Sequence, residues 1–131
     1  VVFSGMKAPK YFFTNVKRHG ALLAKGRMLG IQFDTLFTDE LYFKISRHAI
    51  AMATRIRSIF EKHGIAIAYD SPTNQQFVVL SPSLYEALSQ KVAFEIWERK
   101  SEHEIICRFV TSWATKEEEL DELDHILQAY A

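Results

Sequence analysis

The sequence predicts an α+β domain, in which a largely antiparallel sheet carries helices on one face and is preceded by a long helix. Apolar residues recur every three or four positions after residue 38, which is the pattern of an amphipathic helix. Segments typical of strands and helices then follow in the order strand, strand, helix, strand, strand, helix. Because short turns join several of the strands, antiparallel pairing is favoured.

The part of the chain before the long helix gives mixed signals. Residues 1–4 are apolar and favour a strand, whereas residues 11–37 combine helical and irregular patterns. Gly20, Gly26 and Gly30 interrupt a segment that otherwise favours a helix. A glycine inside a helix costs about 1 kcal/mol relative to alanine, so we expect packing or a close backbone approach to explain these glycines.

The long helix is predicted to begin near Thr38, whose hydroxyl suits an N-cap, with acidic residues in the first turn. Gly64 fits the position just after the C-terminus, where glycine accepts a left-handed conformation. The apolar stripe between these ends predicts the face that packs on the sheet. It consists of Leu41, Ile45, Ala49, Met52, Ile56, Ile59 and Phe60.

The second half of the chain supplies the sheet and two further helices. Strands are predicted at residues 65–69, 76–80, 92–97 and 104–111. Ser81 followed by Pro82 indicates one helix start, and Thr115 with Glu118 forms a capping-box pattern at another. The last helix is expected to pack through one face, formed by Leu120, Leu123, Leu127 and Tyr130.

Composition limits the classes of protein to which the chain can belong. Hydrophobic residues make up 48% and charged residues 24%, which supports a packed core. No apolar run is long enough to span a bilayer, and residues 1–10 lack the pattern of a signal peptide. Cys107 is the only cysteine, so no internal disulfide forms. We therefore expect a cytoplasmic protein with no membrane partner.

Charge and histidine spacing argue against two further classes. The formal net charge is +0, which argues against a dedicated nucleic-acid partner. The five histidines show no metal-ligand spacing, so we expect no metal site. Residues 1–33 nevertheless contain six basic residues and no acidic residue, which favours an anionic partner such as a phosphate group or an acidic protein surface.

Arg108 is the first candidate for a functional residue, because it lies inside an apolar predicted strand. Half-buried arginines need a partner. One interpretation is a structural ion pair with an acid such as Glu95 or Glu104. The other is a planar fork that binds a ligand carboxylate through two parallel hydrogen bonds. The residues by themselves leave both open.

The second candidate is the basic segment at residues 17–27, where lysines and arginines alternate with glycines. Glycine permits a close backbone approach and cations suit phosphate, although the segment is not a P-loop. A solvated basic face or a contact with another domain is the more common explanation of such a pattern. These observations predict a domain and two candidate sites, but they name no reaction.

Three runs resemble the threonine aldolase and β-eliminating lyase family. The run KRHGALLAKGRMLGIQF at residues 17–33 is similar to the segment that follows the cofactor lysine in that family. The run RFVTSWAT at residues 108–115 is similar to the strand and helix cap near the family's C-terminus, and SPTNQQF at residues 71–77 is similar to a stretch between them. Their order and spacing agree over nearly the whole chain.

The resemblance implies an aminotransferase-like protein of fold type I, dependent on pyridoxal 5′-phosphate (PLP), with an amino acid as its substrate and a homodimer or homotetramer as its assembly. Residues 1–37 would be the end of the large PLP domain and its connecting helix, and residues 38–131 the small C-terminal α+β domain. Arg108 would bind the substrate α-carboxylate, and Lys17 and Lys25 would contact the cofactor phosphate.

The same resemblance places the Schiff-base lysine before the point where this chain opens, so we expect no catalytic residue in the segment and no activity from it by itself. The predicted reaction of the complete enzyme is the cleavage of a β-hydroxy-α-amino acid to glycine and an aldehyde. Two alternatives stay open, namely a β-eliminating amino-acid lyase of the same family and a non-catalytic module for dimerisation or docking.

Overall fold

The computed structural model describes residues 7–130, so the strand expected at residues 1–4 lies outside the described residues. Residues before and after the boundary between Leu41 and Tyr42 form two compact units. The assignment of residues 1–37 to a large domain stays a prediction. The elements in chain order are α1 (Phe12–Arg18), α2 (Arg27–Phe37), a 3-10 turn (Thr38–Glu40), α3 (Leu41–Lys62), β1 (Ile67–Tyr69), β2 (Gln75–Leu80), α4 (Pro82–Ser89), β3 (Glu95–Arg99), β4 (Ile105–Val110) and α5 (Glu117–Gln128).

The first unit contains α1 and α2, and neither helix has a buried residue. Large apolar side chains are exposed on both, including Phe13 and Phe33. Gly20 follows α1 with φ +68°, a conformation that residues with a Cβ rarely adopt. A Cβ at Gly20 or Gly30 meets no described atom within 4 Å, so the close approach expected at these glycines is not seen there.

The long helix α3 is confirmed, but it begins three residues later than expected. The Thr38 hydroxyl donates to the carbonyl oxygen of Asp34 at 2.6 Å, so it completes α2 and does not cap α3. Asp39 and Glu40 have φ values of 50° and 57°, and this left-handed backbone separates the two helices. At the other end Gly64 has φ +70°, which confirms the predicted position of this glycine.

The second unit is built on a four-stranded antiparallel sheet in the order β1-β2-β4-β3. In the central pair, Val78 lies opposite Cys107 and Phe77 lies opposite Arg108. Because side chains alternate between the faces of a strand, these two pairs point to opposite faces. The α+β class and the antiparallel sheet are therefore confirmed.

Three of the four predicted strands are confirmed within two residues at their ends, and the third strand is displaced. Residues 92–97 were expected to pair, but the strand is Glu95–Arg99. Val92 and Phe94 pack against the core before the strand begins. Both residues are apolar because they cover the core just before the edge strand. Their spacing of two residues resembles the alternation of a strand, which explains the misplaced prediction.

Helices α3, α4 and α5 pack on one face of the sheet and form a single core with it. The core contains Met52, Ile56, Ile59, Phe60, Val78, Leu80, Leu88, Ile105, Cys107, Phe109, Leu120, Leu123, Ile126 and Leu127. The ring centroid of Phe109 lies 4.8 Å from that of Phe60 and 4.7 Å from that of Phe94. Burial raises the pKa of the Cys107 thiol to about 11, so this cysteine is held as an uncharged core residue.

The cap of α5 differs from the predicted capping box by one residue. The backbone N–H of Lys116 donates to the Glu119 carboxylate at 2.8 Å. The Thr115 hydroxyl instead accepts from the backbone N–H of Ser112 at 2.9 Å, within the preceding turn. The prediction from Thr115 and Glu118 was wrong because two hydroxyl residues precede the helix and both turn and cap chemistry suit them.

The last helix packs as predicted through its leucines, which are buried. Tyr130 does not share that role, because it lies beyond the end of α5 at Gln128 and is exposed.

Ion pairs tie α5 to α3 along the outside of the core. Asp124 accepts hydrogen bonds from the Lys62 ammonium at 2.7 Å and from the His63 ring at 2.6 Å. These two bonds, with that from Lys62 the larger influence, lower the pKa of Asp124. Nearer the start of α5, Arg55 pairs with both Glu117 and Asp121.

Within residues 7–130, no helix is both long and apolar enough to cross a membrane. The same residues contain no group of three or more histidine, cysteine, aspartate or glutamate side chains that could hold a metal ion.

Candidate carboxylate-binding site

Arg108 lies on the sheet face opposite the helices. Its strand neighbours Cys107 and Phe109 point into the core, so alternation turns the Arg108 side chain away from it. The side chain is 26% exposed, which places the guanidinium at a half-buried surface of the sheet. The guanidinium is therefore reachable from outside the core.

Three neighbours hold the guanidinium of Arg108. Nη2 donates to the Glu95 carboxylate, and Nη1 donates to the side-chain oxygen of Gln75 at 3.2 Å. The guanidinium carbon lies 5.4 Å from the centroid of the Trp97 ring, within the range of a cation–π contact. Nε is buried and has no acceptor among the described residues.

The ion pair with Glu95 is the structural interpretation that the sequence left open, and the alternative partner Glu104 pairs with Lys100 instead. The pair does not close the site, because the Glu95 side chain is 68% exposed. A half-buried arginine that is paired to a solvent-exposed carboxylate keeps donors that a second carboxylate could reach. The structure therefore shows the ion pair between Arg108 and Glu95, and it also shows a guanidinium that is partly exposed to solvent.

A row of aromatic side chains extends from Arg108 across the same face of the sheet, beginning with Trp97. The Phe77 ring centroid lies 5.2 Å from that of Trp97 and 5.5 Å from that of Tyr69, both in edge-to-face contacts. The Tyr69 hydroxyl donates to the Glu98 carboxylate at 3.1 Å, and this bond raises the tyrosine pKa. Trp97 is 53% exposed and Tyr69 is 42% exposed, so this row of rings supports the guanidinium at a surface that solvent reaches.

Lys17 and Lys25 lie in the first unit, and both are exposed. Lys17 is in the last turn of α1, where a cation also complements the helix dipole. Lys25 lies in the turn before α2, and its carbonyl oxygen accepts from the backbone N–H of Met28. Neither ammonium group forms an ion pair with a described residue. Their role at a phosphate stays a prediction.

Comparison with known proteins decides the fold relationship. No known protein family and no curated protein matches the sequence. Among solved structures, a threonine aldolase from Leishmania major matches 91% of this chain with a TM-score of 0.84 and 34% sequence identity. The chain matches a threonine aldolase C-terminal domain. The resemblance deduced from the three sequence runs is therefore confirmed, as is the fold class.

The match covers 35% of the Leishmania threonine aldolase, so the chain spans about a third of that protein's length. The structural similarity to threonine aldolase supports the PLP-dependent fold family.

Three side chains near Arg108, namely Gln75, Phe77 and Trp97, escaped the sequence prediction. Gln75 and Phe77 are two positions apart in β2, and strand alternation places both on the face of Arg108. That signal was available, but the pairing of β2 with β4 was not. Trp97 lies at a register shift between β3 and β4, so regular alternation could not assign its contacts.

Proposed function

We propose that this chain is the small C-terminal domain of a PLP-dependent lyase that cleaves a β-hydroxy-α-amino acid, such as threonine, to glycine and an aldehyde. The observation that carries this proposal is the guanidinium of Arg108, which is half-buried and lies over the Trp97 ring on the sheet face opposite the helices. The structural match to a threonine aldolase supports a role for Arg108 in binding an amino acid. The proposal extends to a cytoplasmic homodimer or homotetramer.

Arg108 binds the α-carboxylate of the amino acid in this proposal. A planar guanidinium can donate two parallel hydrogen bonds to a carboxylate, which fixes both its position and its plane. Fixing the carboxylate fixes the rotation about Cα, so the Cα–Cβ bond is held in the orientation that cleavage requires. Gln75 and Trp97 prevent the guanidinium from turning with the substrate.

The exposed lysines suit the phosphate of a cofactor. Lys17 and Lys25 each present an ammonium group that lacks a carboxylate partner among the described residues, and such groups bind phosphate as point charges. When bound, PLP supplies the electron sink for bond breaking at Cα. The charge and exposure of the two lysines support a role in holding the phosphate.

An arginine substitution tests the proposal in the full-length natural polypeptide that contains this chain. Removing one partner of a hydrogen-bonded charge pair costs roughly 2–5 kcal/mol, and partial exposure places Arg108 toward the lower value. We expect Arg108→Ala to lower kcat/KM for threonine by about 30-fold or more. The kcat/KM of Arg108→Lys should stay close to that of Arg108→Ala, because lysine lacks the two parallel donors of a guanidinium. The cofactor absorbance spectrum should be unchanged.

The matched control is Arg55→Ala, which removes an arginine of α3 whose partners lie on α5. This change affects stability without touching the face of Arg108, so kcat/KM should stay near its original value. Unchanged kinetics in Arg108→Ala would return Arg108 to a purely structural role.

We also propose that the segment by itself forms no stoichiometric lysine adduct with PLP, because the resemblance assigns the Schiff-base lysine to another part of a threonine aldolase. Incubation with PLP, reduction with borohydride and mass spectrometry of the peptides check this. A single lysine labelled to about one equivalent would contradict the proposal, whereas scattered partial labelling is ordinary surface chemistry.

A further inference from the structure

We propose that Glu95 occupies the carboxylate site of Arg108 when no substrate is bound, and that the substrate α-carboxylate displaces it. This inference rests on the proposed function of Arg108 and adds a built-in competitor to it. Glu95 lies directly opposite Arg108 in the register of β3 and β4, and its carboxylate accepts from Nη2. The side chain thus presents to the guanidinium the same functional group as an amino-acid substrate.

Glu95 has the properties of a partner that can leave. It is the first residue of the edge strand β3, all of whose residues are exposed. Its side chain is 68% exposed, so water can solvate the carboxylate as soon as it swings away. An ion pair of this exposure is weak because solvent screens it and side-chain freedom opposes it.

The other two neighbours of Arg108 have the opposite properties. Gln75 is half-buried on the central strand β2 and is neutral, so it holds Nη1 without repelling an incoming carboxylate. Trp97 contacts the guanidinium, whose carbon lies 5.4 Å from the ring centroid. Displacing Glu95 therefore leaves Arg108 in place and frees Nη2 to donate to another carboxylate.

The hydrogen bonds of Arg108 are also incomplete when Glu95 is its partner. Glu95 accepts a single hydrogen bond from the guanidinium, and Nε has no acceptor among the described residues. A carboxylate that makes two parallel bonds binds an arginine more strongly than one that makes a single bond. A mobile substrate can adopt that geometry, whereas Glu95 is tethered to its strand.

Competition of this kind lowers the apparent affinity for substrate by the fraction of molecules in which Arg108 is free. A partly exposed ion pair favours the state in which Arg108 is paired with Glu95 over the state in which it is free by roughly two- to fivefold. Glu95→Gln keeps the shape of the side chain and removes the negative charge. We expect this substitution to lower KM for threonine roughly two- to fivefold and to leave kcat unchanged.

The experiment uses the full-length natural polypeptide and compares Glu95→Gln with Glu98→Gln. Glu98 lies on the same strand and loses the same charge, but its carboxylate accepts from the Tyr69 hydroxyl and not from Arg108. A second measurement follows the side-chain Nε–H signal of Arg108 by NMR during titration with glycine. Tighter glycine binding in Glu95→Gln, with no change in Glu98→Gln, supports the proposal.

A purely structural role for Glu95 predicts the reverse, since removing the ion pair would loosen Arg108. An unchanged or raised KM in Glu95→Gln, or loss of the fold in that variant, overturns the inference. These results leave the proposed function intact if Arg108→Ala still loses kcat/KM. If Arg108→Ala has normal kinetics, the proposed function is wrong. The inference about Glu95 is then wrong as well, because Arg108 binds no substrate carboxylate.

Discussion

Phe60 is the side chain whose removal should damage the second unit most. It lies on α3, is fully buried, and its ring contacts Phe109 of β4 at a centroid distance of 4.8 Å. Replacing a buried phenylalanine by alanine costs about 3–5 kcal/mol, since apolar burial is lost and a cavity remains. A unit of about 90 residues has a total stability of roughly 5–13 kcal/mol, so Phe60→Ala should leave it marginal.

Urea unfolding followed by far-UV circular dichroism measures this loss. With a urea dependence of about 1.5 kcal/mol per molar, a loss of about 4 kcal/mol lowers the midpoint by between roughly 2 and 3 M. Ile50→Ala on the same helix is the control, because Ile50 is 44% exposed and exposed substitutions change stability by about 0.5 kcal/mol or less. Equal midpoints for the two variants would refute the packing of α3 described above.

Two further predictions concern α5. The lowered pKa of Asp124 means that its contribution to stability is fully present above its unfolded value near ~3.9 and is lost as the pH falls through the lower folded value. Asp124→Asn should therefore reduce stability at neutral pH and weaken its decline below about pH 4, as followed by thermal unfolding at several pH values. Glu119→Ala should lower the melting temperature by removing the acceptor of the cap, at a cost of about 0.5–2 kcal/mol. Glu118→Ala should not, and a larger effect of Glu118→Ala would reinstate the cap expected from sequence.

Sequence patterns predicted the structure correctly where its physical cause lies within a few neighbouring residues. The apolar spacing of α3 reflects one buried helix face, and Gly64 ends that helix in a left-handed conformation that favours glycine. The helix starts were less well determined. Thr38 and Thr115 both have hydroxyls suited to capping, but each forms a hydrogen bond in a neighbouring turn.

Arg108 shows where a site can and cannot be read from sequence. A charged residue within an apolar strand marked it as a residue that needs a partner, and this needed no structure. The choice between Glu95 and Glu104 depended on which residue of β3 lies opposite Arg108. Gln75 and Trp97 joined the site through strand pairing and a register shift.

The sequence by itself determined the α+β class, the long helix, the strand and helix order and the need of Arg108 for a partner. These follow from periodicity and from the cost of burying a charge, both of which act within a few residues. Only the tertiary structure decided that Arg108 faces away from the core, rests on Trp97 and holds an exposed carboxylate. Strand register sets those contacts, and register depends on long-range pairing that no short segment contains.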